Sequence, residues 1–351
     1  MTDAVALNGS RAKPANADIA IRIWLGCVIA LIFAMVVVGG ATRLTGSGLS
    51  ITEWKPILGA IPPLSAADWQ EAFDKYRQIP QYQLVNKGMS LEEFKFIFWW
   101  EWAHRFLGRF IGVAFALPFL VFAFAGTIRR DLAPSLIVLF ALGALQGFMG
   151  WYMVQSGLVD RVSVSQYRLA AHLGLAAIIY AAMIWVALGV GQPARTIKRS
   201  WAWLSAAGLV VFSFIQIVLG AFVAGMKAGF AYNTWPLMDG EFVPDGLFVM
   251  QPWHLNLFEN ALTVQFNHRM AAYMLFGWAI LHAIAMMRTE RAGRLSAVFL
   301  AGAVTLQAVL GIWTLVAQVP LSLGLVHQAG AFIVLAIAVY HLHRLSRGLK
   351  G

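Results

Sequence analysis

Cysteine and charge are both scarce in this 351-residue chain. It has a single cysteine, Cys27, and only 12% of its residues are charged. One thiol cannot make an intramolecular disulfide, and a CxxC metal or redox motif is excluded. An ordinary soluble domain carries roughly 25% charged residues, so half that fraction excludes a water-soluble globule. The opening MTDAVALNGSRAKPANADIA lacks the apolar core of a cleaved signal peptide and the Arg-rich amphipathic pattern of an organelle transit sequence. No nicotinamide- or flavin-binding domain is visible, so any redox chemistry needs an external electron donor.

Apolar sequence is plentiful: 60% of the residues are hydrophobic. Runs near the roughly 20 residues a helix needs to cross a bilayer recur eight times, at 20–41, 105–127, 133–154, 169–190, 201–224, 267–287, 295–317 and 323–343. The runs are continuous, without the period-2 alternation of a membrane barrel. The expected fold is therefore an all-α integral membrane protein, with span 1 an uncleaved anchor in a bacterial inner (cytoplasmic) membrane. Basic residues sit in the loops IRRD (128–131), ARTIKRS (194–200) and MRTERAGR (287–294), at Arg11, Lys13 and Arg22, and in the C-terminal HRLSRGLK. The positive-inside rule places all of these, and both termini, in the cytoplasm. The net charge of +10 is thus a topology signal. Spread over five segments, it forms no nucleic-acid patch.

Between the spans, two outer loops are long, 42–104 and 225–266. Ser65 with Asp68 and Ser90 with Glu93 have capping-box spacing and predict surface helices near 66–78 and 91–103, the second running into span 2. The halves resemble each other. VGGATRLTGSGLSITEWKP leaves span 1 and VLGAFVAGMKAGFAYNTWP leaves span 5; QGFMGW (146–151) in span 3 answers QAVLGIW (307–313) in span 7. The pattern predicts two pseudo-symmetric four-helix bundles in parallel orientation, 20–190 and 201–345, with a cytoplasmic tail at 1–19, a linker at 191–200 and a second tail at 346–351. Gly143, Gly147 and Gly150 in span 3, with Gly302 and Gly311 in span 7, permit close helix packing within a protomer or in a homo-oligomer.

His104, His172, His268 and His327 fall in the even-numbered spans, two per repeat, 25, 23, 20 and 17 residues before the next cytoplasmic basic residue. At 1.5 Å per helical residue that is roughly 25–38 Å, the outer half of the membrane. A lone membrane histidine is commonly a hydrogen-bonded interior residue, but four at matched positions mark function. Two imidazoles per four-helix unit suit a bis-histidine haem iron better than zinc, which takes three or four protein ligands. Arg105 and Arg269 follow their histidines, Arg168 lies one turn before His172, and Arg109 one turn beyond Arg105. Guanidinium groups pair with haem propionates; snorkelling to lipid headgroups is the alternative use. His254, His282, His341 and His343 are expected to be structural or solvated. Glu101 precedes His104 by three residues, and Gln265 precedes His268 by three. Amide and carboxylate have similar shapes but only the carboxylate carries charge, so one pocket reads as reactive and the other as an electron-transfer or structural site. A plain interfacial pair of Glu101 with Arg105 is the competing account.

The chain resembles the haem A synthase family over residues 20–345, in particular its proteobacterial and mitochondrial branch. The segments GGATRLTGSGLSITEWKP (39–56) and WEWAHRFLGR (100–109) carry the resemblance. Other bacterial members have an outer-loop cysteine pair; none is present here. The resemblance implies oxidation of the haem O C8 methyl group to formyl, through successive hydroxylations and loss of water, giving haem A for a terminal cytochrome oxidase. It implies that His104 and His172 flank the haem O iron in the N-terminal repeat with Glu101 near the reacting edge, and that His268 and His327 ligate haem b in the C-terminal repeat. Proton transfer and stabilisation of a cationic intermediate are both open to Glu101. Haem O synthase and oxidase assembly factors are the partners implied. A di-haem b-type electron carrier and a transporter are the rival readings from other classes.

Overall fold

The computed structural model describes residues 15–55, 58–159, 161–192, 199–289 and 293–347. Arg11 and Lys13, most of the basic loop 194–200 and part of both tails lie outside the described residues.

Among the described residues eleven α-helices follow in chain order: α1 (Ala15–Leu44), α2 (Ala66–Tyr76), α3 (Pro80–Leu84), α4 (Leu91–Phe124), α5 (Ala133–Leu158), α6 (Gln166–Gly189), α7 (Trp201–Gly225), α8 (Asn256–Glu259), α9 (Ala261–Thr289), α10 (Arg294–Val316) and α11 (Leu321–Arg347). Eight of them, α1, α4, α5, α6, α7, α9, α10 and α11, are long and apolar enough to cross a bilayer. The protein is an all-α, multi-pass membrane protein.

Both capping boxes form. Ser65 accepts from the Asp68 amide while Asp68 accepts from the Ser65 amide, and Ser90 and Glu93 do the same at the start of α4. These reciprocal bonds satisfy amides that a helix start leaves without partners. The predicted surface helix 91–103 and span 2 are one unbroken helix of 34 residues, about 51 Å long. Some 20 Å of it therefore stands clear of a hydrocarbon layer of about 30 Å. The extra length packs an outer-loop cluster in which Phe73, Tyr76 and Phe94 are at most 2% exposed. Tyr76 donates to Gln81 (3.0 Å) and accepts from Asn86 (2.7 Å), and Gln81 donates to the Gly46 carbonyl (3.0 Å). Sequence periodicity gave no sign of α3, a single short turn begun by Pro80.

The largest core joins α1, α6 and α11 through Ile21, Leu25, Val28, Tyr180, Met183, Phe332 and Leu335. Polar bonds reinforce it. Gln328 on α11 donates to the Val36 carbonyl on α1 (2.7 Å), and Arg43 at the end of α1 donates to the Ala224 carbonyl at the end of α7 (2.7 Å). The second bond serves carbonyls that a helix C-terminus leaves open. Helices are not equally enclosed. Only 6% of the apolar stretch is buried in α4 and in α5, against 28–33% in the other six. α4 and α5 meet over a short stretch, whereas α9 and α10 pack along their lengths.

Candidate functional site

Each of the four histidines rests on a glycine of a neighbouring helix. A Cβ added at Gly39 (α1) would lie 2.9 Å from the His104 ring, at Gly150 (α5) 3.2 Å from His172, at Gly220 (α7) 3.2 Å from His268, and at Gly311 (α10) 2.8 Å from His327. In every case the nearest ring atom is Cε1. Any side chain at these positions would push the imidazole away, so the glycines are cradles that set where the rings lie.

Glutamines complete three of the four cradles. The Gln146 amide nitrogen lies 3.2 Å from His172 Nδ1 and donates to the His172 carbonyl (3.1 Å). Gln216 does the same to His268 (3.1 and 3.0 Å) and Gln307 to His327 (3.1 and 2.7 Å). Each glutamine precedes its glycine by four residues, which puts both on one helix face. The signal was present in the sequence as QxxxG in spans 3, 5 and 7; only the first and last had been matched, without a role.

The residues flanking His104 and His268 fasten loops. Glu101, 2% exposed, accepts four hydrogen bonds: Ser50 Oγ and the Ile51 amide (both 2.8 Å) on Oε2, and Arg105 Nε and Nη2 (3.0 and 2.6 Å) on Oε1. Arg105 also donates to the carbonyls of Ile51 and Glu53 (2.7 and 3.0 Å). Together they clasp the loop that leaves α1. Gln265 and Arg269 clasp the loop that leaves α7: Gln265 donates to Ala228 and Ala231 carbonyls (2.9 and 2.8 Å), and Arg269 to those of Tyr232 and Thr234 (2.6 and 2.9 Å). Arg269 also donates to Gln265 Oε1 (3.1 Å). Arg109 donates to the Lys55 carbonyl (3.0 Å), and Arg168 to that of Tyr152 (2.7 Å) while stacking on the Tyr152 ring. The pairing of Glu101 with Arg105, the competing account of this carboxylate, is thus present as part of a loop clasp.

The donor set fits an iron porphyrin. The His268 and His327 ring centroids are 6.4 Å apart with planes at 84°, which leaves room for one metal held at about 2.0 Å by a nitrogen of each ring. Among the described residues no three His, Cys, Asp or Glu side chains gather as a metal cage. A metal held by these pairs must bring its remaining ligands with it, as a porphyrin does.

The other histidines behave as structural or solvated groups. His282 and His341 meet through their Nε2 atoms (2.9 Å), and their Nδ1 atoms meet Ser205 (2.9 Å) and Ser296 (2.8 Å). His343 accepts from Arg347 (3.2 Å), and His254 is exposed. His341 and His343 are buried in α11; neither belongs to a solvated tail.

An eight-span helical protein with paired, cradled histidines defines the class, and comparison with known proteins names the family. Residues 22–339 match the family described as "Cytochrome oxidase assembly protein", and the chain belongs to it. It is 58% identical over 329 residues to a protein named "Heme A synthase" from Parvibaculum lavamentivorans, covering 93% of this chain and 95% of that one. Proteins of the same name from Rhizobium meliloti (54%, covering 92% of this chain and 88% of that one) and Bradyrhizobium diazoefficiens (56%, 93% and 92%) are similarly related.

Proposed function

We propose that this chain is a haem A synthase of the inner membrane: an oxidoreductase that converts the C8 methyl group of haem O to a formyl group, making haem A for a terminal oxidase. Its relatives' shared name supports the reaction. One observation carries the assignment of the two sites. The halves build the same cradle of histidine and glycine, yet only the N-terminal half puts a carboxylate, Glu101, on a histidine-bearing helix, and that helix, α4, and its neighbour α5 are the least buried of the eight.

In this reading, 20–190 and 201–345 form two pseudo-symmetric four-helix bundles, with both termini cytoplasmic. The N-terminal bundle takes haem O, a membrane-soluble porphyrin, through the lightly covered side between α4 and α5, and His104 and His172 hold its iron. The C-terminal bundle holds haem b between His268 and His327, which, when bound, supplies a one-electron relay to an external donor. Arg105, Arg109, Arg168 and Arg269 each carry five N–H groups and bring guanidinium charge to the propionate edges while clasping backbone carbonyls. Glu101 has both oxygens engaged by Ser50, Ile51 and Arg105. That favours a fixed negative group that steadies positive charge developing on the porphyrin edge over a carrier of protons.

The test is haem extraction from wild type, Glu101→Gln and His268→Met, each expressed in a host that makes haem O. Wild type should contain haem A, and Glu101→Gln should retain haem b while accumulating haem O or a partly oxidised form. Wild type that holds only haem b and makes no haem A with a donor present would instead be a di-haem electron carrier.

A further inference from the structure

Three of the four cradles have a glutamine one turn before the glycine; the fourth has Met35 one turn before Gly39. The Met35 side chain turns to α4, where a Cβ at Gly108 would lie 2.9 Å from its Cε. A thioether offers no N–H and is a weak acceptor. His104 Nδ1 is accordingly buried with no hydrogen-bond partner. The three glutamines show the complementary feature: Oε1 of Gln146, Gln216 and Gln307 is buried and unpartnered. A histidine that binds metal through one nitrogen donates the other N–H to a fixed acceptor, and that bond orients the ring. For the unbonded oxygen to accept from Nδ1–H, each glutamine turns its terminal amide and its side chain moves off the histidine carbonyl, because two oxygens cannot share the 2.7–3.1 Å that the amide nitrogen now spans. The bond given up runs to a histidine carbonyl that already lies inside an α-helix.

We propose that His104 is the exchangeable ligand of the haem O iron, and that Gln146, Gln216 and Gln307 are positioning residues that hold His172, His268 and His327 on their irons. This rests on the proposed placement of haem O between His104 and His172. It gives the substrate site one firm and one loose ligand, and the haem b site two firm ones. A substrate that must enter, react and leave needs a ligand that lets go; a resident relay does not. The unbraced imidazole also stands on the helix that carries Glu101.

Carbon monoxide reports the difference directly, because it binds ferrous haem only where an axial position opens. Full-length wild type, Met35→Gln, Met35→Leu and Gln307→Met are purified from the haem O host, and each is analysed for bound haems and titrated with CO after reduction. Methionine and glutamine are close in length and volume, so Met35→Gln supplies the missing brace with little repacking. Wild type and Met35→Leu should bind CO at the haem O site, and Met35→Gln should bind it about 10–100-fold more weakly, the range seen when a second partner of a ligand is changed. Gln307→Met should open the haem b site to CO. Equal CO affinity in wild type and Met35→Gln, with haem O bound in both, overturns the exchangeable-ligand assignment and leaves the synthase reading standing. Wild type without haem O or haem A in the N-terminal site overturns both.

Discussion

The two halves of this protein use the same local devices and differ in how tightly they close. In each, a residue three before a histidine and an arginine one after it clasp the loop leaving the preceding odd-numbered span. In the C-terminal half the clasp is neutral at one end, Gln265, both histidines are braced, and α9 and α10 pack along their lengths. In the N-terminal half the clasp is an ion pair, one histidine is unbraced, and α4 and α5 bury the smallest share of their apolar stretches. On the function proposed above, the half with both histidines braced would hold the resident haem and the more lightly covered half would take the substrate.

The largest break in this comparison should come from the arginines. Glu101 and Arg105 are 3% and 10% exposed at their side chains. Arg105→Ala leaves a buried carboxylate without its partner, a change that costs about 3–5 kcal/mol. Arg269→Ala removes three hydrogen bonds but leaves a neutral amide, and its cost is nearer 1–3 kcal/mol. Thermal unfolding in detergent should place the Arg105 variant clearly below the Arg269 variant. Equal losses would mean that the charge on Glu101 makes no difference to the clasp.

Next come the glycine cradles, which can be ranked by distance. A methyl group at Gly39 or Gly311 would meet its histidine ring at 2.9 or 2.8 Å, and at Gly150 or Gly220 at 3.2 Å. Overpacking of the closer kind costs about 1–3 kcal/mol. Gly311→Ala should therefore lose more haem on purification than Gly220→Ala, as read from haem-to-protein ratios. Gly39→Ala should lose more than Gly150→Ala, with a wider gap because the ring it displaces has no brace. The reverse order would show that ring placement is set elsewhere.

Much of this was legible in the sequence because membrane helices obey few rules and obey them strongly. All eight spans were placed, since backbone in lipid must satisfy itself and long apolar runs leave no other choice. The four histidines stood out because polar groups in such runs are costly. The surface helix expected at 91–103 runs into span 2 as the sequence indicates, since nothing breaks the hydrogen-bond ladder at 104. The clasps were invisible because their acceptors are backbone carbonyls, which carry no sequence signature. The braces were half visible. QxxxG reads as ordinary helix packing until the histidine from another helix is placed against it.

The smallest expected effect separates the two outer loops. In the first, Glu53 bonds Lys55 (2.9 Å) and Lys75 (3.0 Å), and Lys75 also bonds Glu71 (2.6 Å). In the second, 226–260, the described residues form no ion pair; Glu241 accepts a backbone N–H and Glu259 the Tyr167 hydroxyl. The hydrogen bond from Lys55, followed by that from Lys75, holds the Glu53 carboxyl below the ordinary carboxylate range. A carboxyl lowered in the folded state stabilises it above the unfolded value of about 4.3, and the stabilisation is lost as pH falls through the folded value. Glu53 is 45% exposed at its side chain, so solvent and salt screen the pairs and the effect is about 0.2–1 kcal/mol. Hydrogen exchange of residues 45–55 should quicken as pH falls below about 4.3, after correction for the intrinsic rate, while that of 226–260 does not. Glu53→Gln should flatten the first profile onto the second, and added salt should do part of the same. A first loop that keeps its pH dependence in the Gln variant would move the origin of that dependence from Glu53 to another carboxylate of the loop.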